Sequence, residues 1–153
     1  MLTNGNPAPD LELIDTDGQP WRLSDQPGAH GTLLFFTRSI SCAICNHHIR
    51  DLVARRAEFD TANIGVVIVA PEDRDAVRAW KTEHGVPFTV ATGPTADPHE
   101  SVGLNRRLFG SWLQSGTVLI DRDGLVRHAH GATMPTNSYD KKGITAAIES
   151  MRD

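Results

Sequence analysis

Gly31-Thr32-Leu33-Leu34-Phe35-Phe36-Thr37-Arg38-Ser39-Ile40-Ser41-Cys42-Ala43-Ile44-Cys45 joins two hydrophobic patterns within one short stretch. Leu33 to Phe36 is continuously apolar, so Gly31 to Thr37 reads as a strand buried on both faces. From Ala43 to about Phe59 the period changes. Ile44, Ile49, Leu52, Val53 and Phe59 fall on one side of a helical wheel, with Arg50, Asp51, Ala54 and Glu58 mostly opposite. A buried strand therefore runs into an amphipathic helix, and Cys42 stands at the junction.

Outward from this junction the periods alternate. Leu11 to Ile14 reads as a strand that pairs with Trp21 to Leu23 across Asp15-Thr16-Asp17-Gly18. Ile64 to Ala70 is a second buried strand. Pro71-Glu72-Asp73 then opens a helix through Val77 and Trp80 to about His84, with its acidic residues at the end the helix dipole prefers. Val86 to Val90 reads as a third short strand, and Ala96 to Leu113 as irregular. Thr117 to Ile120 and Leu125 to His130 flank the turn Asp121-Arg122-Asp123-Gly124, and Lys141 to Met151 closes the chain as a helix. Further turn signals stand at Pro27-Gly28 and Gly93-Pro94. Strand, helix, strand, helix, hairpin and helix is the order of a thioredoxin-like α/β fold, a central mixed sheet with helices on both faces and an N-terminal β-hairpin.

The chain has 153 residues, of which 39% are hydrophobic and 22% charged, an ordinary globular balance for one domain spanning residues 1–153. Its net charge is −4, with no basic run that would neutralise phosphates, which argues against a nucleic-acid partner. The N-terminus lacks the basic start and apolar stretch of a secretory signal, and no segment approaches a membrane span. The expectation is a soluble cytoplasmic protein with no membrane association.

Both cysteines fall within four residues, Cys42 and Cys45, so they cannot staple distant segments. They are placed for chemistry on one helical turn. Unpaired amides and partial positive charge at a helix N-terminus stabilise a thiolate, which makes Cys42 the expected attacking sulfur. Cys45, one turn later and on the apolar side, is the expected resolving thiol, at a spacing a disulfide tolerates. Other readings stand beside this one. Buried cysteines also serve as packing, and the pair also suits a non-enzymatic module, either a redox sensor or a metal-binding carrier using Cys42, Cys45 and His48, a partial ligand set short of the four a structural zinc site takes. Ser39 and Ser41 are candidate N-caps, with Ser39 also in reach of the sulfur. Arg38 is a candidate for stabilising the thiolate. Trp80 reads as core, His47 as solvent-facing, and Arg106, Arg107, His128 and His130 as non-catalytic. No cofactor is expected.

Asn6-Pro-Ala-Pro-Asp-Leu-Glu-Leu13, the Asp17-Gly18 turn, Leu33 to Phe36 leading into Cys42-Ala-Ile-Cys45, Val66 to Val69, and Leu119-Ile120-Asp121-Arg-Asp-Gly124 resemble the AhpC/TSA group of peroxiredoxins and peroxiredoxin-like redoxins. The resemblance covers about Pro7 to Ile148. Ala70-Pro-Glu-Asp73 with Ala79-Trp80 is similar to the segment that carries an active-site tryptophan. It implies a thioredoxin fold and an antioxidant peroxidase or disulfide oxidoreductase, restored by thioredoxin or a low-molecular-weight thiol and able to form a homodimer. Two positions depart from the group. Its proline seven residues before the peroxidatic cysteine is Phe35 here, and its late arginine, or the cis-proline of thioredoxins, is replaced near Ser115, whereas its Thr or Ser three before the cysteine is kept as Ser39. Losing groups that hold a peroxide for in-line attack weakens transition-state stabilisation, whereas dithiol exchange needs only two accessible sulfurs.

Overall fold

The computed structural model describes residues 2–25, 30–93, 98–102, 104, 106–107, 112–113, 115–132 and 139–151. The described strands are β1 (Glu12–Asp15), β2 (Pro20–Arg22), β3 (Gly31–Phe36), β4 (Ile64–Val69), β5 (Thr89–Thr92), β6 (Arg106–Arg107), β7 (Trp112–Leu113), β8 (Ser115–Asp121) and β9 (Val126–Ala132). The helices are α1 (Ala43–Ala54), α2 (Arg56–Ala62), α3 (Arg74–His84), α4 (Pro98–Ser101) and α5 (Lys141–Met151). Seven strands form one sheet in the order β2-β1-β5-β4-β3-β8-β9, and β6 pairs with β7 apart from it. β3 pairs in parallel with β4, and β4 with β5, while the flanking pairs are antiparallel.

The crossovers from β3 to β4 and from β4 to β5 step the same way across the sheet. Right-handed connections then place α1, α2 and α3 on one face. Leu33, Phe35, Val66 and Ile68 meet Ile49, Leu52, Phe59, Val77 and Trp80 there, and α5 adds Ile144 and Ile148. The alternate residues Leu34, Phe36, Val67, Val69, Val118 and Ile120 face the other way, against Leu11, Leu13, Val102 and Leu104. Helices lie on both faces, but the four longer ones share one.

Several boundaries differ from the sequence reading. The helix expected from Ala43 to Phe59 breaks at Arg55, whose φ of −94° and ψ of 10° depart from helical values. Its side chain is buried and reaches Glu58 Oε2, Tyr139 Oη and Thr145 Oγ1 at 2.7, 2.9 and 2.8 Å. A buried cation needs this full set of partners. The third short strand starts at Thr89, where pairing with Val67 begins, and Val86 and Phe88 pack into the core instead. Pro27-Gly28, Pro94 and much of Ala96 to Leu113 lie outside the described residues. Among the described residues no helix is long and apolar enough to cross a membrane.

Tight pairing beside β3 leaves no room at Gly116. A Cβ there would stand 2.6 Å from the His130 carbonyl oxygen and 3.0 Å from Leu104 Cδ2. Gly116→Ala is expected to cost about 1–3 kcal/mol as the β8–β9 ladder shifts, read as a lower midpoint in thermal unfolding. A midpoint equal to that of wild type would contradict this packing.

Candidate active site

The site forms where β3 ends. After Thr37, whose amide donates to the Val69 carbonyl at 3.0 Å, the chain leaves the sheet and turns through Arg38 to Ser41 into α1. The turn is closed by its own groups. The Ser39 carbonyl accepts from the Cys42 amide at 3.1 Å and from Thr37 Oγ1 at 3.0 Å, and Asn46 Nδ2 donates to the Ile40 carbonyl at 3.0 Å. Cys42 is the N-cap of α1, in extended conformation, and its Sγ accepts from the Cys45 amide at 3.3 Å. The expectation that Ser39 or Ser41 caps the helix is thereby corrected, because the extended residue immediately ahead of the first helical turn is Cys42 itself.

Cys45 faces inward. It has no exposure and belongs to the core cluster of Leu33, Phe35 and Ile49. Burial pushes its thiol up to about 11, with the neighbouring Cys42 sulfur acting in the same direction. The Arg38 backbone and the Thr37 hydroxyl oppose that rise. Both sulfurs are free thiols in this structure. Cys42 keeps 7% exposure, and the two residues between the cysteines, Ala43 and Ile44, are exposed. Both cysteines are thus buried, the one at the helix start keeping a residual exposure and the other, one turn further in, a protonated thiol at neutral pH.

The remaining candidates divide. Ser39 lies in the turn, but its hydroxyl donates to Glu72 Oε2 at 2.6 Å and contacts Ser41 Oγ at 2.9 Å, so its single proton is committed away from sulfur. Arg38 borders the site through its backbone. Trp80 is 5% exposed and lines a groove with Asn46, Ile49, Val53 and His84, its ring 5.4 Å from that of His84. Ser115 is buried at the start of β8, one position beyond the pairing of Phe36 with Gly116, and so stands at the same end of the sheet as the turn.

His48 packs its ring against Tyr139 and Phe35, at 5.2 and 6.2 Å between centroids. Burial and the adjacent His47 hold its value below the usual histidine range. Among the described residues no three His, Cys, Asp or Glu side chains converge to hold a metal, so the set of Cys42, Cys45 and His48 is not assembled. The aromatic contacts of His48 explain why. His47 is exposed as expected, and His128 and His130 stack on β9 at 6.2 Å. The side chains of Arg106 and Arg107 lie outside the described residues.

Two residues at the site were not singled out from the sequence as such. Glu72, in the turn between β4 and α3, accepts from Ser39 Oγ and from the Ile40 amide at 3.1 Å. It stands outside α3, whose N-cap is Asp73, accepting from the Ala76 amide at 2.9 Å. His99 of α4 is fully buried, with Nε2 2.8 Å from the Thr37 carbonyl oxygen and its ring edge-on to Phe36. Both contacts bridge long separations in sequence, which local patterns do not carry.

The unequal burial of the sulfurs has two measurable consequences. In native protein near pH 8, iodoacetamide is expected to modify Cys42 and leave Cys45 unmodified until the fold is opened, as read by peptide mass mapping. Equal labelling would contradict the burial. Folding raises the value of Cys45, so its contribution to stability is fully present below the ordinary thiol value of about 8.5. That contribution is lost as pH climbs through about 11. Unfolding free energy from urea titrations is expected to fall across that window, with a shallower fall in Cys45→Ala.

The AhpC/TSA family model matches residues 4–129. Peroxiredoxin Bcp of Bacillus subtilis is 29% identical over 130 residues, covering 78% of this chain and 79% of that protein. Among solved structures, peroxidoxin BcpB of Mycobacterium tuberculosis superposes with a TM-score of 0.86 at 19% identity, over the whole of both chains. A peroxiredoxin-like protein of Aquifex aeolicus superposes with a TM-score of 0.84 at 15% identity, over 99% of this chain and 88% of that one. The structural matches carry the fold, and the family model carries the kinship: the chain belongs to the AhpC/TSA family and is an oxidoreductase of the peroxiredoxin-like kind.

Proposed function

We propose that the protein is a thiol peroxidase that cycles Cys42 and Cys45 between dithiol and disulfide. The observation that carries this reading is the capping of α1 by Cys42, with the Cys45 amide on its sulfur and the buried Cys45 thiol one turn behind. Cys42 attacks as the thiolate. Its sulfur bonds to the terminal oxygen of a hydroperoxide, the O–O bond breaks, and the departing alkoxide or hydroxide takes a proton from water. Cys42 becomes a sulfenic acid and the peroxide is reduced to an alcohol or water. Cys45 sulfur then attacks Cys42 sulfur, its proton leaves with the sulfenic oxygen as water, and a disulfide closes. A dithiol such as thioredoxin, or two equivalents of a low-molecular-weight thiol, returns the pair to the reduced state.

The same cycle run against a protein disulfide needs no peroxide-holding group, and the replaced positions Phe35 and Ser115 favour it as the second reading. Residues 1–153 act in this scheme as one domain, alone or as a homodimer, in a reducing compartment such as the cytoplasm.

A peroxide-consumption assay coupled to a thioredoxin system separates the outcomes. Wild type is expected to turn over and Cys42→Ser to be inactive. Cys45→Ser is expected to reduce one equivalent of peroxide and then stall with thioredoxin as reductant. Insulin reduction without peroxide turnover would select the second reading. Equal, negligible rates of wild type and Cys42→Ser in both assays would overturn both.

A further inference from the structure

Glu72 belongs to neither sulfur, yet the hydroxyls of the turn that leads into Cys42 are arranged through it. Its Oε2 accepts the Ser39 hydroxyl at 2.6 Å and the Ile40 amide at 3.1 Å, and its Oε1 lies 3.3 Å from that amide. A serine hydroxyl has one proton and two lone pairs. With the Ser39 proton on the carboxylate, the 2.9 Å contact between Ser39 Oγ and Ser41 Oγ requires Ser41 to donate. The Ser41 amide supplies a second donor to Ser39 Oγ at 3.2 Å. Ser39 is then saturated, donating once and accepting twice. Ser41, exposed and adjacent to Cys42, has spent its proton inward, so only lone pairs remain for an incoming molecule.

We propose that Glu72 is a positioning residue for the peroxide step: acting through Ser39, it fixes the turn ahead of Cys42 and presets the Ser41 hydroxyl as the acceptor for the O–H of a hydroperoxide. The proposal rests on the thiol-peroxidase reading. The bond changes remain those of that cycle, with the hydroperoxide proton held by Ser41 while Cys42 sulfur bonds to the oxygen bearing it. The position that the family reserves for its Thr or Ser is here turned inward, and the residue next to the cysteine takes the outward place.

The test uses the full chain as wild type, Glu72→Ala, Glu72→Gln and Ser41→Ala, with steady-state kcat/KM measured separately for hydrogen peroxide and for thioredoxin. A positioning role in the first half-reaction lowers the peroxide constant about tenfold in Glu72→Ala and leaves the thioredoxin constant within about twofold. Glu72→Gln retains an oxygen that can take the shared acceptor place of Oε2, and it is expected to stay within about threefold of wild type for both. Ser41→Ala leaves the contacts among Glu72, Ser39 and Ile40 in place, so it tests the acceptor even where Glu72→Ala folds poorly. It is expected to lose peroxide turnover to a similar degree, and the Glu72→Ala/Ser41→Ala pair to lose less than the product of the single losses. Wild-type peroxide constants in Ser41→Ala, or parallel losses in both half-reactions of Glu72→Ala, would overturn the proposal with the peroxidase reading intact. A wild type inert to peroxide would overturn that reading and this role together.

Discussion

A helix begins with amides that have no partner in the helix itself, and something must accept from them. In this protein the acceptor at the start of α1 is a sulfur. Cys42 occupies the cap position and takes the Cys45 amide at 3.3 Å. Much of the surrounding architecture serves to bring that cap to one place. β3 is flanked by β4 and β8, which fixes where the strand ends, and a short turn fastened by Asn46 and Glu72 delivers the chain to the helix.

That difference is a matter of solvent. The amphipathic face of α1 that holds Ile49 and Leu52 against the sheet also carries Cys45 inward, where a thiolate would lack hydration, so the same burial that builds the core holds this thiol protonated. Cys42 stands at the rim, beside exposed Ala43, Ile44 and Ser41. Packing and chemistry are thus not separate demands on this helix. The hydrophobic period that folds it also assigns its two sulfurs to different environments.

The sequence carried the parts of this arrangement that are local. A continuous apolar run, a change to helical period and two cysteines at the change were enough to locate the junction, the outer and inner sulfur, and the thioredoxin-like order of elements. What escaped it depends on distant partners. The break at Arg55 arises from a buried guanidinium whose partners Tyr139 and Thr145 come from the far end of the chain. Glu72 reads locally as the acidic start of a helix, and only the parallel register of β3 with β4 brings its turn beside Ser39. His48 fits a ligand spacing on a wheel, but its packing against Phe35 and Tyr139 gives it a place in an aromatic cluster. The handed crossovers, not the pattern of any one helix, decided that α1, α2 and α3 share a face, which α5 joins through Ile144 and Ile148.

The proposed redox couple joins two sulfurs in unequal surroundings. The most direct measurement is the mass of the reduced protein and of its Cys42–Cys45 peptide after one equivalent of peroxide. The expected result is a loss of two hydrogens, confined to that peptide and reversed by a dithiol. A lasting sulfenic acid on Cys42, a gain of one oxygen, with Cys45 still a free thiol would contradict it.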